Sequence, residues 1–245
     1  MVYRAKTDFN NVTVTQKGNI VTLWSPATVR QTEIDICKPF VPRLEYARNT
    51  ALSLAFCPGP GKILVLGLGG GSIPMMFQYI CKDASIDVVD IDPDMLVIAE
   101  GFFNFFTDAR LKVFLEDASI FISERSVQRK YDIIVMDTFI GQKQHRSLTS
   151  EKFFLGIRHR LTPGGIFATN VMSESRAHYE KIKSRIASAF KDLWALPCDT
   201  STNTVVFAGR GNISKPEILT NVQMIPGLIP PEIPITKLAK RVKRV

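Results

Sequence analysis

The stretch KILVLGLGGGSIPMMF, Lys62 to Phe77, decides the fold. Ile63 to Leu66 are uninterrupted aliphatic residues, the pattern of a strand buried on both faces, since a half-solvated strand alternates apolar with polar positions. Gly67, Gly69, Gly70 and Gly71 then let the backbone turn sharply and leave no side chains to hold a ligand away from the main chain. Ser72 as an N-cap and Pro74 in a first turn predict a helix whose free N–H groups face that ligand. Strand, glycine loop and helix in this order describe a nucleotide or nucleoside site, although a glycine-rich run alone is also an ordinary turn.

Composition bounds the alternatives. A chain of 245 residues, 45% hydrophobic, suffices for one compact domain with a small appendage. No apolar run reaches the ~18 to 20 residues of a membrane span, and MVYRAKTDFN lacks the apolar core of a signal peptide, so a cytoplasmic chain without membrane contact is expected. Cys37, Cys57, Cys81 and Cys198 form no CxxC, and His145, His159 and His178 show no ligand spacing; reduced thiols and no metal are expected. The net charge of +8 invites a nucleic-acid reading, but KLAKRVKRV, from Lys237 onward, carries five of the positive charges and leaves +3 for the rest. That end reads as a solvated basic tail or as a contact with an acidic partner, RNA or another subunit; no RNA-binding signature accompanies it.

Along the chain, Val12 to Trp24 alternates around Lys17-Gly18-Asn19 and predicts a β-hairpin, which packs on the main domain or pairs with a second copy in a homodimer. Val29 to Ile36 predicts another strand, and Leu44 to Phe56 a helix ended by Cys57-Pro58-Gly59-Pro60-Gly61. After the glycine loop, strands at Ile86–Asp92, Leu111–Leu115, Tyr131–Asp137 and Ile166–Val171 alternate with helices, including Pro93–Phe106, Ser119–Ser126, Leu148–Leu161 and Arg176–Phe190. Further strands follow near Leu193–Pro197 and Thr204–Ala208. The expected fold is α/β, a doubly wound, mainly parallel Rossmann-like sheet with a small N-terminal hairpin region. The expected divisions are 1–43, 44–211 and a proline-spaced, irregular segment 212–245.

The chemistry follows from where the acids fall. Ligands of an open α/β sheet sit outside the carboxyl ends of its strands, and four successive strand ends carry the glycine loop, Asp90 with Ile91 and Asp92, Asp117 with Ala118, and Asp137. A carboxylate about 20 residues beyond the loop suits a ribose, whose two hydroxyls it can accept, and Asp90 stands there. Asp117 is placed to accept from an adenine amino group. Each aspartate reads alternatively as a helix N-cap. The absence of GxxxxGK[ST] disfavours an NTPase, and serine where GxGxxG needs a third small residue disfavours NAD. A nucleoside bearing a cationic sulfonium fits better, because it needs carboxylates and open backbone more than a phosphate cradle.

ILVLGLGGG, VVDIDPDML, LEDASIFI, YDIIVMD and LTPGGIF, in that order, resemble the spermidine synthase family on the class I methyltransferase fold, over roughly Gln31 to Gly209. The resemblance implies S-adenosylmethionine or its decarboxylated form as cofactor, and a small amine or polyamine as acceptor. It implies that Asp90 holds the ribose, Asp117 the adenine, and that Asp137 takes a proton from the attacking amine. It also matches Tyr46 to a substrate-side tyrosine and Gln31 to a glutamine lining the nucleoside; on its amphipathic helix Tyr46 reads equally as core. Two departures stand out. The aspartate that aminopropyl transferases carry in the glycine loop, to hold a free ammonium, is Gly70 here, and the second acid of their DSSD run is Ile140. A carboxylate about 4 Å from an ammonium is worth ~1 to 4 kcal/mol and would repel the carboxylate of intact S-adenosylmethionine, so its loss favours methyl over aminopropyl transfer. His145, in a polar loop, reads as solvated or as part of a segment closing over substrate. A non-catalytic nucleoside-binding module and an RNA-associated protein are the other readings; three aligned acids speak against the first of these.

Overall fold

The computed structural model of the protein describes residues 1–26, 28–124, 129–139, 146–172, 175–225 and 229–245, so the expectations placed on Ile140 and His145 lie outside the described residues. Four strands open the chain: β1 (Tyr3–Lys6), β2 (Asn11–Lys17), β3 (Ile20–Trp24) and β4 (Arg30–Asp35). They form one antiparallel sheet in sequence order. The hairpin at Gly18 is β2–β3, and β1 is an added edge strand whose short, mixed sequence carries no clear alternation.

Three short helical pieces follow: α1 (Glu45–Asn49), a 3₁₀ turn (Thr50–Leu52) and α2 (Ser53–Phe56). The single helix expected over 44–56 is therefore broken, its Thr50 and Ser53 hydroxyls donating back to the carbonyls of Ala47 and Thr50 (2.7 and 2.6 Å). Such back-bonding competes with the regular helical ladder.

The alternating part comprises β5 (Lys62–Leu66), α3 (Ser72–Ile80), β6 (Ser85–Asp90), α4 (Pro93–Phe102), β7 (Leu111–Leu115), α5 (Ala118–Ser123) and β8 (Tyr131–Met136). It continues through a 3₁₀ turn (Arg146–Thr149), α6 (Glu151–Arg160), β9 (Leu161–Met172), α7 (Arg176–Ala189), β10 (Asp192–Pro197) and β11 (Asn203–Gly209). The chain ends in α8 (Lys215–Met224), α9 (Ile235–Arg241) and β12 (Lys243–Arg244). The main sheet has the order β12-β10-β11-β9-β8-β5-β6-β7. Strands β9, β8, β5, β6 and β7 run parallel, and β11, β10 and β12 add on antiparallel.

Strand β5 is apolar throughout because both its faces are covered. Ile63 and Val65 belong to a core shared with the N-terminal sheet, α3, α4, α8 and α9, whereas Leu64 and Leu66 belong to one shared with α5, α6 and α7. The chain moves outward from β5 to β6 and β7 and then returns to the other side at β8, so the carboxyl end of β5 is the switch point where such sheets bind ligands. Val12, Val14, Val21, Leu23 and Ile34 join the first core, which fixes the N-terminal sheet against that end.

The segment after Gly211, expected to be irregular with a solvated basic tail, is built into the fold instead. Ile235, Leu238, Ala239 and Val242 are buried, and β12 pairs with β10. Its two arginines are engaged internally: Arg244 reaches the Asp192 carboxylate (2.8 Å) and Arg241 reaches Asp199 (2.5 Å) and Glu45 (3.8 Å). Among the described residues, no helix is long and apolar enough to cross a membrane.

Candidate active site

A cavity of about 350 Å³ opens at the switch point. Its floor is the glycine loop. Gly67 has φ +95°, and a Cβ there would strike the carbonyl of Asp137, so only glycine lets the ends of β5 and β8 approach. Gly71, at φ +77°, is the N-cap of α3. Ser72 is therefore the first residue of that helix rather than its cap, because the left-handed turn has already been made one residue earlier.

Gly67 and Gly69 line the cavity; Gly70 and Gly71 do not. A Cβ on Gly70 would lie 2.8 Å from the ring of Phe103 and 2.8 Å from Thr32 Cγ2, and both residues are buried. The Gly70 amide donates to Thr32 Oγ1 (2.9 Å), and a Cβ on Gly71 would meet the Phe105 ring. Half the loop thus faces the N-terminal sheet and α4's C-terminal flank, not the ligand space.

The carboxylates come from successive strand ends. Asp90 Oδ2 accepts from the Leu68 amide (2.7 Å) and Oδ1 from the Asp92 amide (2.9 Å), so Asp90 holds the glycine loop as well as lining the cavity. Burial raises its pKa, opposed by those amides. Asp92 caps α4 through the Asp94 amide and accepts from Thr7 Oγ1 (2.6 Å), another tie from the N-terminal sheet. Asp117 caps α5, its Oδ1 accepting from the amides of Ser119 (2.7 Å) and Ile120 (3.2 Å). Capping and cavity lining are not exclusive: Asp117, like Ile91 and Ala118, borders the same space.

Asp137, immediately after β8, ends a polar chain. Asn203 Nδ2 donates to Asn170 Oδ1 (2.8 Å), and Asn170 Nδ2 donates to Asp137 Oδ1 (3.1 Å). The Tyr46 hydroxyl donates to the Gln31 carbonyl (3.0 Å) and stands close enough to Asp137 for the two groups to shift each other's titration. Desolvation raises the Asp137 pKa to about 6, with Asn170 and Tyr46 pulling the other way. Desolvation and the neighbouring Asp137 charge raise that of Tyr46 well above normal, so it stays a neutral phenol. Burial lifts this carboxyl toward neutrality while Asn170 holds its orientation, which leaves a group able to take up a proton near neutral pH.

The residues that sequence reasoning missed come from elsewhere in the chain. Asn170 sits in the apolar strand β9 and Asn203 begins β11; an asparagine inside an apolar run was the available signal. Arg30 and Thr32 join Gln31 on the wall supplied by β4. Among the described residues, no group of three or more His, Cys, Asp or Glu side chains is set to hold a metal.

Residues 49–207 match the spermine/spermidine synthase domain. The chain belongs to the spermine/spermidine synthase family. A polyamine aminopropyltransferase of Vibrio vulnificus is 31% identical over 61% of this chain and 50% of its own length. An eEF1A lysine and N-terminal methyltransferase of Xenopus laevis is 28% identical over 66% of this chain and 26% of its own. The chain thus spans half the length of the first relative and about a quarter of the second. A probable spermidine synthase from Corynebacterium glutamicum has the same fold at a TM-score of 0.77 and 18% identity, covering 98% of this chain and 94% of that one. The chain's relatives thus carry the names of two kinds of transferase, aminopropyltransferase and methyltransferase.

Proposed function

We propose that the chain is a transferase that binds an S-adenosylmethionine-type nucleoside at the switch point and passes an alkyl group to an amine, with methyl transfer favoured. The observation that carries this reading is the convergence of Asp90, Asp117 and Asp137 on one cavity. Its size lies within the ~300 to 1,000 Å³ usual for small-molecule sites. The donor set fits the group: carboxylates for ribose, adenine and sulfonium, and no lysine among the described lining residues to bind phosphates.

When bound, the nucleoside supplies a carbon made electrophilic by its positive sulfur. The chain's contribution is placement and proton handling. With a pKa of about 6, Asp137 is largely ionised at neutral pH and can accept the amine's proton as the N–C bond forms and the C–S electron pair returns to sulfur. Asn170 fixes its orientation, and the Tyr46 phenol stands beside it. Asp90 ties the ribose side to the glycine loop, so nucleoside and base share one rigid frame.

Methyl transfer is favoured because position 70 has no room for the acid that aminopropyl transfer calls for. Aminopropyl transfer is the second reading, supported by the acidic wall of Asp92, Glu116 and Asp117. Incubation with S-adenosylmethionine or its decarboxylated form and a panel of amines tests both. Formation of S-adenosylhomocysteine supports the first reading and formation of methylthioadenosine the second. Neither product with any acceptor leaves only a binding module.

A further inference from the structure

Arg30 is the one cation among the described residues lining the cavity, whose other charged lining groups are all acids. An arginine opposite acids that would grip a cationic sulfonium is unfavourable unless the ligand also presents an anion. Its position is specifically built. Between β3 and β4 the register runs Leu23 to Thr32 and then Trp24 to Arg30, so Gln31 is an extra residue in a β-bulge. A bulge re-aims the side chains beside it, and here Val29, Arg30, Gln31 and Thr32 all border the cavity, which a regular alternating strand would not allow. Thr32 in turn holds the Gly70 amide, so the bulge and the glycine loop are tied at 2.9 Å.

The guanidinium is available. Its contact with Glu33 is long, 3.4 to 3.5 Å, and Glu33 also serves Arg43 (3.3 Å) and Thr22 (3.2 Å). Arg30 lines the cavity and its side chain is 51% exposed, so its planar five-donor group, held only by the long Glu33 contact, is free to turn toward a ligand there.

We infer that Arg30 receives the α-carboxylate of an intact S-adenosylmethionine-type ligand and so selects it over the decarboxylated form. Position 70, sterically closed to an acid, and Arg30, re-aimed by the bulge, act in the same direction: one withholds a negative charge, the other supplies a positive one. This rests on the nucleoside reading of the cavity.

Calorimetric titration of the whole chain and of Arg30→Met tests it, with three probes: S-adenosylhomocysteine, its decarboxylated analogue, and methylthioadenosine, which lacks both the α-carboxylate and the α-amine. Wild type is expected to bind S-adenosylhomocysteine about tenfold more tightly than the decarboxylated analogue, the scale of a charge-assisted hydrogen bond. Arg30→Met is expected to lose that preference and keep its affinity for methylthioadenosine; Arg30→Lys should retain part of it. An unchanged preference in Arg30→Met, an equal loss for all three probes, or a wild-type preference for the decarboxylated analogue overturns the role of Arg30. Failure of wild type to bind methylthioadenosine overturns the nucleoside reading itself.

Discussion

Replacing Asp137 with asparagine is expected to stabilise the fold while it removes turnover. The carboxyl is lifted from 3.8 to about 6, chiefly by desolvation, so the folded chain holds the proton more tightly than the unfolded one. Stability therefore falls as pH rises from about 4 through about 6, and the full penalty stands from about pH 7 upward. The gap corresponds to about 3 kcal/mol as a ceiling. Water in the cavity screens the charge, and about 1 to 2 kcal/mol is the expected gain at neutral pH. Asparagine preserves the acceptor for Asn170 Nδ2 and places an amide beside Tyr46, so little hydrogen bonding is lost. Urea unfolding of both proteins between about pH 5 and about pH 8 measures this. The advantage of Asp137→Asn should widen by about 1 kcal/mol up to about pH 7 and then stay level, while transfer to an amine drops by about 10² to 10⁴. A variant less stable than wild type, or a difference that ignores pH, would refute the argument that burial of this carboxylate sets its chemistry.

Tyr46→Phe removes the phenol beside Asp137 that lowers its pKa, so the rising limb of the pH–rate profile should move to higher pH; an unmoved limb would mean that the phenol does not act on Asp137. Gly70→Ala drives a methyl group into Phe103 and Thr32 and should cost about 1 to 3 kcal/mol in unfolding measurements. Ending the chain at Gly211 uncovers the β10 edge and the core around Ile235, Leu238 and Val242. The product should lose cooperative unfolding, whereas retention of full stability would restore the picture of a detachable basic tail.

Much of the arrangement was legible because open α/β sheets place ligands by rule. The apolar run of β5, the glycine loop, and acids at the ends of β6, β7 and β8 fix both the fold and one edge of the cavity without knowledge of side-chain contacts. What stayed hidden depends on tertiary pairing. Arg30 reaches the cavity only because β4 slips one residue against β3, and a bulge leaves no mark in periodicity. Asn170 and Asn203 meet only because β9 and β11 pair across 33 residues. Gly70 reads as an open loop position until Phe103 and Thr32 are seen against it. The C-terminal segment was misread because Pro230, Pro231 and Pro234 suggest a linker, whereas Ile235, Leu238 and Ala239 already carry the i, i+3, i+4 spacing of a short helix packed on one face.

Crystals of the chain grown with S-adenosylhomocysteine test the central claim most directly. The ribose is predicted on Asp90, the adenine toward Asp117 and the sulfur facing Asp137. A nucleoside bound elsewhere, or turned so that its sulfur points away from Asp137, would contradict the assignment of these three carboxylates to one adenosyl group.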